Sequence, residues 1–270
     1  MAEFEEGTHS LALPRQFGEY TLLQIIGTGG EAIVYKARNA DNELVALKVY
    51  RLTLDQEPPW FSHFEEKFLS LNDLVEKVDS DHIVKIYETP VVEGFPVIEM
   101  ELLQGTTLEY LISNSQQQVD LHILISALAD ILEAVVTIES HGLYAFDVHS
   151  TDNMYVTEDG KGLIIDVMLW TEPSRLPTLV NRSVRYLGIT LEQFLLTPHG
   201  ISLPNSIFQT ASRMKRYRHS RGFETYEEVI TELRNAAAVS KRDSGGTIAM
   251  SSAPPTITTR VNSAKRAPNL

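Results

Sequence analysis

The 270-residue chain contains no cysteine, which excludes disulfide bonds, thiolate zinc sites, iron–sulfur clusters and cysteine nucleophiles. It also lacks any uninterrupted run of eighteen apolar residues, so we expect no membrane-spanning helix. Residues 1–7 contain three glutamates and no lysine or arginine, which is unlike a signal or transit peptide. These absences predict a cytoplasmic protein.

Positive charge is scarce outside the C-terminus. The net charge is −13, although residues 241–270 hold five Lys or Arg and one Asp, a balance of +4. The rest of the chain therefore carries −17 and repels phosphate backbones, so we expect no nucleic-acid partner. Hydrophobic residues make up 43% of the chain, which is enough to bury a core.

Alternating apolar residues predict a small sheet in the first hundred residues. The predicted strands cover residues 20–26, 32–37, 43–50, 83–88 and 95–102. Between the third and fourth strands, apolar residues recur at helical spacing from Phe61 to Val78.

The pattern becomes helical after Gly105. The predicted helices cover residues 108–112, 121–138, 184–196 and 226–238, and two short strands at 153–156 and 162–165 flank an Asp159-Gly160 turn. From residue 240 the composition shifts to Ser, Thr and Pro, which is typical of disorder. We therefore predict a flexible N-terminus (1–17), a folded domain (18–238) and a disordered tail (239–270).

A glycine-rich turn and a lysine form the first candidate site. Gly27, Gly29 and Gly30 lie between two predicted strands, and a hairpin turn that needs positive φ would by itself account for such a loop. The strand–loop–strand setting argues against phosphate motifs that need a helix N-terminus. In the third strand, alternation puts Ala46 and Lys48 on one face.

The second candidate site follows the long apolar helix. Asp147, Asp152 and Asn153 lie in one short stretch, and Asp166 follows the two short strands. Carboxylate and amide oxygens are hard ligands that suit Mg²⁺. A lone Asp in a loop is usually a turn former, so the prediction depends on the ordered set.

The ordered set of glycine turn, lysine, aspartate, asparagine and aspartate resembles the protein kinase superfamily, and bacterial Ser/Thr kinases of eukaryotic type are most similar. The resemblance covers about residues 18–238. It implies an α+β, two-lobed protein-kinase-like fold, with a small antiparallel β-sheet and one main helix in the N-lobe (about 18–103). The C-lobe (about 104–238) would be mainly helical, with a shortened activation segment.

The resemblance also implies ATP and Mg²⁺ as cofactors and a role for each site residue. Lys48 would contact the phosphates and Asp147 would be the catalytic base, while Asn153 and Asp166 would bind the metal. The other nucleotide-binding positions would be Gly27, Gly29, Gly30, Val34, Ala46, the gatekeeper Met100, and the hinge residues Glu101 and Leu103.

Two assignments keep alternatives. Asp152 replaces Asn153 as metal ligand if the family's residue count is kept strictly, but the spacing to Asp166 favours Asn153. For the glutamate that pairs with Lys48, counting forward from the lysine favours Glu65 or Glu66. Counting back from residue 82 instead places the position at Leu71, which has no carboxylate. We therefore choose Glu66.

The chain departs from the family pattern in the catalytic loop and in the activation segment. Ala145 and Phe146 stand where the family has histidine and arginine before the catalytic aspartate, and His149 replaces the loop lysine. Val167 and Met168 follow Asp166, so the packing phenylalanine is absent. About seventeen residues separate Asp166 from the predicted sixth helix, where Ser183 replaces an aspartate, and no A-P-E motif occurs.

These departures favour a degenerate Ser/Thr protein kinase or pseudokinase that acts in signalling as a regulator or scaffold for an unidentified protein partner or substrate. The alternative is a constitutive phosphotransferase for small molecules, because Asp147-Val148-His149 resembles the D-L-H of such kinase-like enzymes. The hydroxyls of the tail, such as Thr247, are candidate phosphorylation sites, although a linker role is the simpler interpretation.

Overall fold

The computed structural model describes residues 13–56, 63–78, 80–113, 120–145, 150–170, 176–196 and 205–243. These residues form two compact units. The first takes its residues from Met1–Asn72 and Lys85–Leu103, and the second from Asp73–Val84 and Gln104–Pro254.

The first unit is built on an antiparallel sheet. Its strands are β1 (Arg15–Phe17), β2 (Tyr20–Thr28), β3 (Ala32–Arg38), β4 (Leu44–Tyr50), β5 (Ile86–Glu88), β6 (Val91–Val92) and β7 (Phe95–Glu101). Hydrogen bonding orders them β1-β2-β3-β4-β7-β5, and β6 pairs with β7. The predicted antiparallel sheet is confirmed.

One face of this sheet carries an apolar core. Its buried residues are Phe17, Tyr20, Leu22, Tyr35, Ala37, Val45, Leu47, Val49 and Val97. Because side chains alternate along a strand, Ala46 and Lys48 lie on the opposite face, as the sequence predicts. Strand β1 belongs to the sheet although its residues fall within the predicted flexible N-terminus, because Phe17 packs in this core.

The predicted helix over 61–78 is interrupted. The structure has α1 (Phe64–Leu69) and α2 (Leu71–Val75) on either side of Ser70. The Ser70 hydroxyl donates to the carbonyl of Lys67 at 3.1 Å, and such side-chain bonds to the backbone compete with continued helix. The ring of Phe64 in α1 packs edge-on against Tyr50 of the sheet, with centroids 5.2 Å apart.

The second unit is mainly helical. Its helices are α3 (Leu108–Ser113), α4 (Leu121–Ser140), α5 (Leu176–Leu196), α6 (Asn205–Lys215) and α7 (Tyr226–Asp243). Its short strands are β8 (Gly105–Thr107), β9 (Tyr144–Ala145), β10 (Met154–Thr157), β11 (Gly162–Ile164) and β12 (Leu169–Trp170). Strand β10 lies between β8 and β11, and β9 pairs with β12.

Helix α4 is the central core helix of the second unit. Its N-cap is Asp120, whose carboxylate accepts a hydrogen bond from the His122 amide at 3.2 Å. By length and composition α4 could cross a membrane, but 67% of its most apolar window is buried against the rest of the chain. This burial is the behaviour of a packed core helix.

Several elements differ from the sequence prediction. Helix α5 begins at Leu176, not near Val184, so only residues 167–175 separate it from Asp166. Helix α6 and the β9–β12 pair were not predicted at all. Helix α7 continues to Asp243, so residues 239–243 of the predicted tail are helical, and the rest of that tail, 244–270, lies outside the described residues.

Candidate active site

The glycine turn joins β2 to β3 in the predicted strand–loop–strand setting. Gly27 lies opposite Val34 in the ladder, and the Gly29 amide donates to the carbonyl of Ala32 at 2.9 Å. None of the three glycines has a positive φ. A Cβ built on Gly30 would meet no atom within 4 Å, and one on Gly29 would approach only Ala32 O, at 3.6 Å. The turn itself therefore does not require glycine at these two positions.

Lys48 lies on the sheet face opposite the apolar core. The register places Val34, Lys48 and Ile98 in one cross-strand row, and Ala46 and Met100 in the next row on the same face. Lys48 is only 7% exposed, and its ammonium lies 4.9 Å from the ring centroid of Tyr50. The structure thus brings Val34, Ala46, Lys48 and Met100 together on one face of the sheet.

The predicted hinge follows the end of β7. The Glu101 amide donates to Lys85 O at 2.9 Å, and its carboxylate accepts from the Lys85 amide at 2.8 Å. The sheet ladder ends at Glu101, so Leu103 lies beyond strand pairing. Glu101 is on the face opposite Met100, so its backbone, and not its side chain, could serve a ligand on the Lys48 face.

Glu66 lies in α1, with its carboxylate 3.9 Å from Nδ1 of His63 and its side chain 84% exposed. Its neighbour Glu65 is also exposed, whereas Leu71 is fully buried. The pairing of Glu66 with Lys48 stays a prediction.

In the second unit, the β10–β11 hairpin positions the two predicted metal ligands. Met154 pairs with Ile164 in the ladder, and the Ile165 amide donates to the carbonyl of Asn153 at 2.9 Å. Asn153 therefore lies at the open end of the hairpin directly across from Ile165, and Asp166 is the next residue. The turn at the other end has Gly160 with a φ of 86°, as the Asp-Gly sequence predicts.

A buried polar network anchors this hairpin to α4. The Gly162 amide donates to Oδ2 of Asp130 at 2.8 Å, and Nδ1 of His82 lies 3.3 Å from the Gly162 carbonyl. Nη2 of Arg234 in α7 contacts Oδ1 of Asp130 at 2.6 Å and Oε1 of Glu133 at 3.0 Å. A Cβ on Gly162 would lie 2.2 Å from the carbonyl oxygen of Ala127, so glycine is required where β11 touches α4.

Sequence reasoning missed this network. The available signal was Asp130, an acidic residue within the apolar stretch Leu128–Leu132 of α4, since a buried carboxylate needs a partner. The cluster of His82, Asp130 and Glu133 also has metal-ligand chemistry. However, the Arg234 guanidinium already forms ion pairs with both carboxylates, so we interpret the cluster as an anchor.

Two titratable groups near the hairpin are perturbed. Desolvation, with a smaller contribution from the Glu109 carboxylate, raises the pKa of Asp152. Burial and the charge of Glu158 raise the pKa of Tyr155 to about 12. Tyr155 therefore stays neutral over the physiological range.

The predicted base Asp147 lies outside the described residues, as do Phe146 and His149. The chain on either side is described: Ala145 pairs with Leu169 where β9 meets β12. Val167 and Met168, which replace the family's phenylalanine and glycine, are buried. Ser183 in α5 is also fully buried, and its hydroxyl makes no hydrogen bond within the described part of the chain.

Comparisons with known proteins agree with this architecture. Residues 20–172 match the family described as "Protein kinase domain". The chain is 32% identical over 108 residues to the serine/threonine-protein kinase PknE of Mycobacterium bovis, which covers 40% of this chain and 17% of that protein. It is 24% identical over 151 residues to PknH of Mycobacterium tuberculosis, covering 56% and 23% respectively. The chain thus spans less than a quarter of these relatives.

The fold is similar to that of a solved kinase domain. The crystal structure of the Mycobacterium tuberculosis PknI kinase domain matches with a TM-score of 0.60 and 15% identity, covering 84% of this chain and all of that one. This likeness confirms the α+β kinase-like fold. Because the family match extends over more than half of its residues, the chain belongs to the protein kinase domain family.

Proposed function

We propose that the chain is an ATP- and Mg²⁺-binding kinase domain that acts mainly as a regulator or scaffold in signalling, with weak phosphoryl transfer or none. The observation that carries the ATP-binding part of this proposal is the glycine turn. Gly29 and Gly30 have neither a positive φ nor a crowded Cβ position, so local folding does not explain them. A ligand that must approach the backbone closely does explain them.

The sheet face that carries Lys48 supports binding of a nucleoside triphosphate. Lys48 places a positive charge on the sheet face opposite the apolar core, in the row next to small Ala46, and an ammonium binds phosphate oxygens as a point charge. In this proposal Lys48 holds the α- and β-phosphates, and Ala46 leaves room for adenine. The backbone around Leu103, beyond the sheet ladder, binds the adenine edge.

The β10–β11 hairpin supports a metal site in the second unit. Asn153 and Asp166 offer hard oxygen ligands from the same end of the hairpin. Asp152, the alternative ligand, is exposed, and the choice of Asn153 rests on its position at the end of the hairpin across from Ile165. Bound Mg²⁺ would neutralise charge on the phosphates, while Asp147 would orient the attacking hydroxyl.

The regulatory role rests on the missing substrate platform. Nine residues, 167–175, connect Asp166 to α5, and the sequence has no arginine beside Asp147 that could sense a phosphorylated loop. The same short connection also suits a small-molecule phosphotransferase, which we keep as the second candidate. A cytoplasmic location belongs to the same proposal.

The test combines thermal shift with radiolabel transfer on wild type, Lys48→Ala and Asp147→Asn. We expect ATP with Mg²⁺ to raise the melting temperature of wild type and of Asp147→Asn but not of Lys48→Ala. Lys85→Ala, which removes an exposed lysine from the same unit, is the matched control and should respond like wild type.

Two outcomes would overturn parts of the proposal. Strong transfer that Asp147→Asn abolishes would replace the scaffold with an active transferase, and a panel of protein and small-molecule acceptors would then identify its substrate class. No nucleotide-induced stabilisation of wild type would contradict ATP binding itself.

A further inference from the structure

A local concentration of arginine stands out in this acidic chain. Residues 193–223 contain no Asp or Glu, although the whole chain has 36 of them. All five Lys or Arg residues of this stretch fall within residues 213–221. Residues 213–223 are called the arginine loop below; they include the end of α6 and lead towards α7.

The arginine loop has a defined conformation. The His219 amide donates to Arg216 O at 2.7 Å, the Gly222 amide to His219 O at 2.9 Å, and the Arg218 amide to Phe223 O at 2.8 Å. A Cβ on Gly222 would lie 1.9 Å from Arg216 O, so only glycine fits there. Arg218 and Arg221 both have left-handed backbone, with φ of 57° and 65°. The backbone conformation therefore defines the positions from which the side chains of Arg218 and Arg221 extend.

Contacts with neighbouring residues hold the arginine loop against α5. Arg185 of α5 donates to Tyr217 O at 3.3 Å and to Nε2 of His219 at 2.7 Å, so this nitrogen of His219 acts as acceptor. Arg213 stacks over the ring of Phe223, 3.8 Å from its centroid. Arg185 and Arg213 therefore stabilise the conformation of the loop.

Arg216, Arg218 and Arg221 are exposed. Arg216 also donates to the Ser212 hydroxyl at 3.1 Å, and the Arg218 guanidinium lies over the Tyr217 ring, 5.7 Å from its centroid. The guanidinium group presents a planar set of donors that matches phosphate and carboxylate oxygens, and it is less strongly hydrated than an ammonium. Three exposed arginines within six residues of a defined loop suit a compact anion with several oxygens. The best match is a phosphorylated side chain.

The surroundings of the loop favour a peptide over a membrane. Glu224, Glu227 and Glu228 follow directly and are exposed, and they would repel a flat anionic bilayer. The exposed large apolar residues of the described chain include none from the arginine loop, so nothing there could insert into lipid. A short peptide can contact the arginines while avoiding the glutamates.

We propose that the arginine loop is a docking site for a phosphorylated peptide segment of a partner protein. The site lies wholly in the second unit and uses none of the residues assigned to ATP or Mg²⁺. It is independent of the proposed function: peptide binding could fail while nucleotide binding succeeds, and the reverse.

The test measures binding of a short fluorescent peptide that carries paired phosphothreonines in an otherwise uncharged sequence, using the full chain and fluorescence anisotropy. Arg218→Asn with Arg221→Asn removes two charges and keeps residues that tolerate left-handed backbone. We expect this double variant to bind about tenfold more weakly, from two exposed charge-assisted contacts. Lys77→Gln with Lys241→Gln removes the same charge from exposed sites elsewhere and should bind like wild type.

Circular dichroism melting of both double variants checks that each is folded. The proposal is overturned if the unphosphorylated peptide binds equally well, or if wild type does not bind the phosphopeptide. It is also overturned if both double variants lose the same affinity, or if wild type binds phosphatidylserine vesicles instead of the peptide. Binding that needs the phosphates and both loop arginines supports it.

Discussion

Asp130→Ala should destabilise the second unit by removing the anchor between α4 and the β10–β11 hairpin. The Asp130 side chain is buried, and its two oxygens have different partners. Oδ2 accepts from the buried Gly162 amide at 2.8 Å, and Oδ1 contacts Arg234 at 2.6 Å. The substitution removes both interactions at once.

The size of the effect follows from these two partners. A buried amide left without an acceptor costs about 1–3 kcal/mol. The Arg234 side chain is 40% exposed and keeps its contact with Glu133, so loss of its pair with Asp130 adds less than about 1 kcal/mol. We therefore expect Asp130→Ala to lower the free energy of unfolding by about 3 kcal/mol. Asp130→Asn, which keeps an acceptor for Gly162, should cause a smaller loss.

Urea unfolding and amide hydrogen exchange at Gly162 would measure this effect. Asp81→Ala, an exposed aspartate beside His82, is the control and should stay within about 0.5 kcal/mol of wild type. A loss of less than about 0.5 kcal/mol for Asp130→Ala would refute the anchoring role. Equal losses for Ala and Asn would show that the ion pair, not the Gly162 hydrogen bond, dominates.

Three further results are expected. Gly162→Ala should destabilise by about 3 kcal/mol or more in urea unfolding, because its Cβ would meet the backbone of Ala127 at 2.2 Å. Gly30→Ala should leave the unfolding free energy within about 0.5 kcal/mol of wild type while weakening ATP binding in calorimetry. The pKa of Tyr155 is near its ordinary value of 10.0 in the unfolded chain and about 12 in the folded chain, so its contribution to stability is present below pH 10 and is lost as the pH rises through 12. Tyr155→Phe should flatten that alkaline decline by up to about 2–3 kcal/mol in pH-dependent unfolding.

The sheet of the first unit was predictable because its signals are local. Alternation in β4 determined the face of Lys48, since a one-residue change of register would move Val45, Leu47 and Val49 out of the apolar core and Lys48 into it. The Asp159-Gly160 sequence likewise predicted the β10–β11 hairpin turn from a local signal, since Gly160 has a positive φ. The interruption at Ser70 was not predicted, because the apolar spacing continues across it while a side-chain bond to the backbone ends the helix.

The parts that sequence reasoning missed depend on distant partners. Strand β1 is only three residues long and becomes recognisable through its pairing with β2 and the burial of Phe17. Helix α6 has a low content of large apolar residues, and its burial of Ile207 and Met214 is decided by packing within the second unit. The anchor at Asp130 joins residues more than thirty positions apart in the chain, a distance that spacing rules do not reach.

The affinity of the chain for ATP, measured by isothermal titration calorimetry with and without Mg²⁺, is the most direct test. We expect Mg²⁺ to strengthen binding to wild type, Lys48→Ala to weaken binding in both conditions, and Asp166→Asn to lose the Mg²⁺ dependence. The melting temperature of each variant without nucleotide would show that it is folded. Absence of binding to wild type, or equal Mg²⁺-dependent affinities for all three proteins, would contradict ATP and Mg²⁺ binding by these residues.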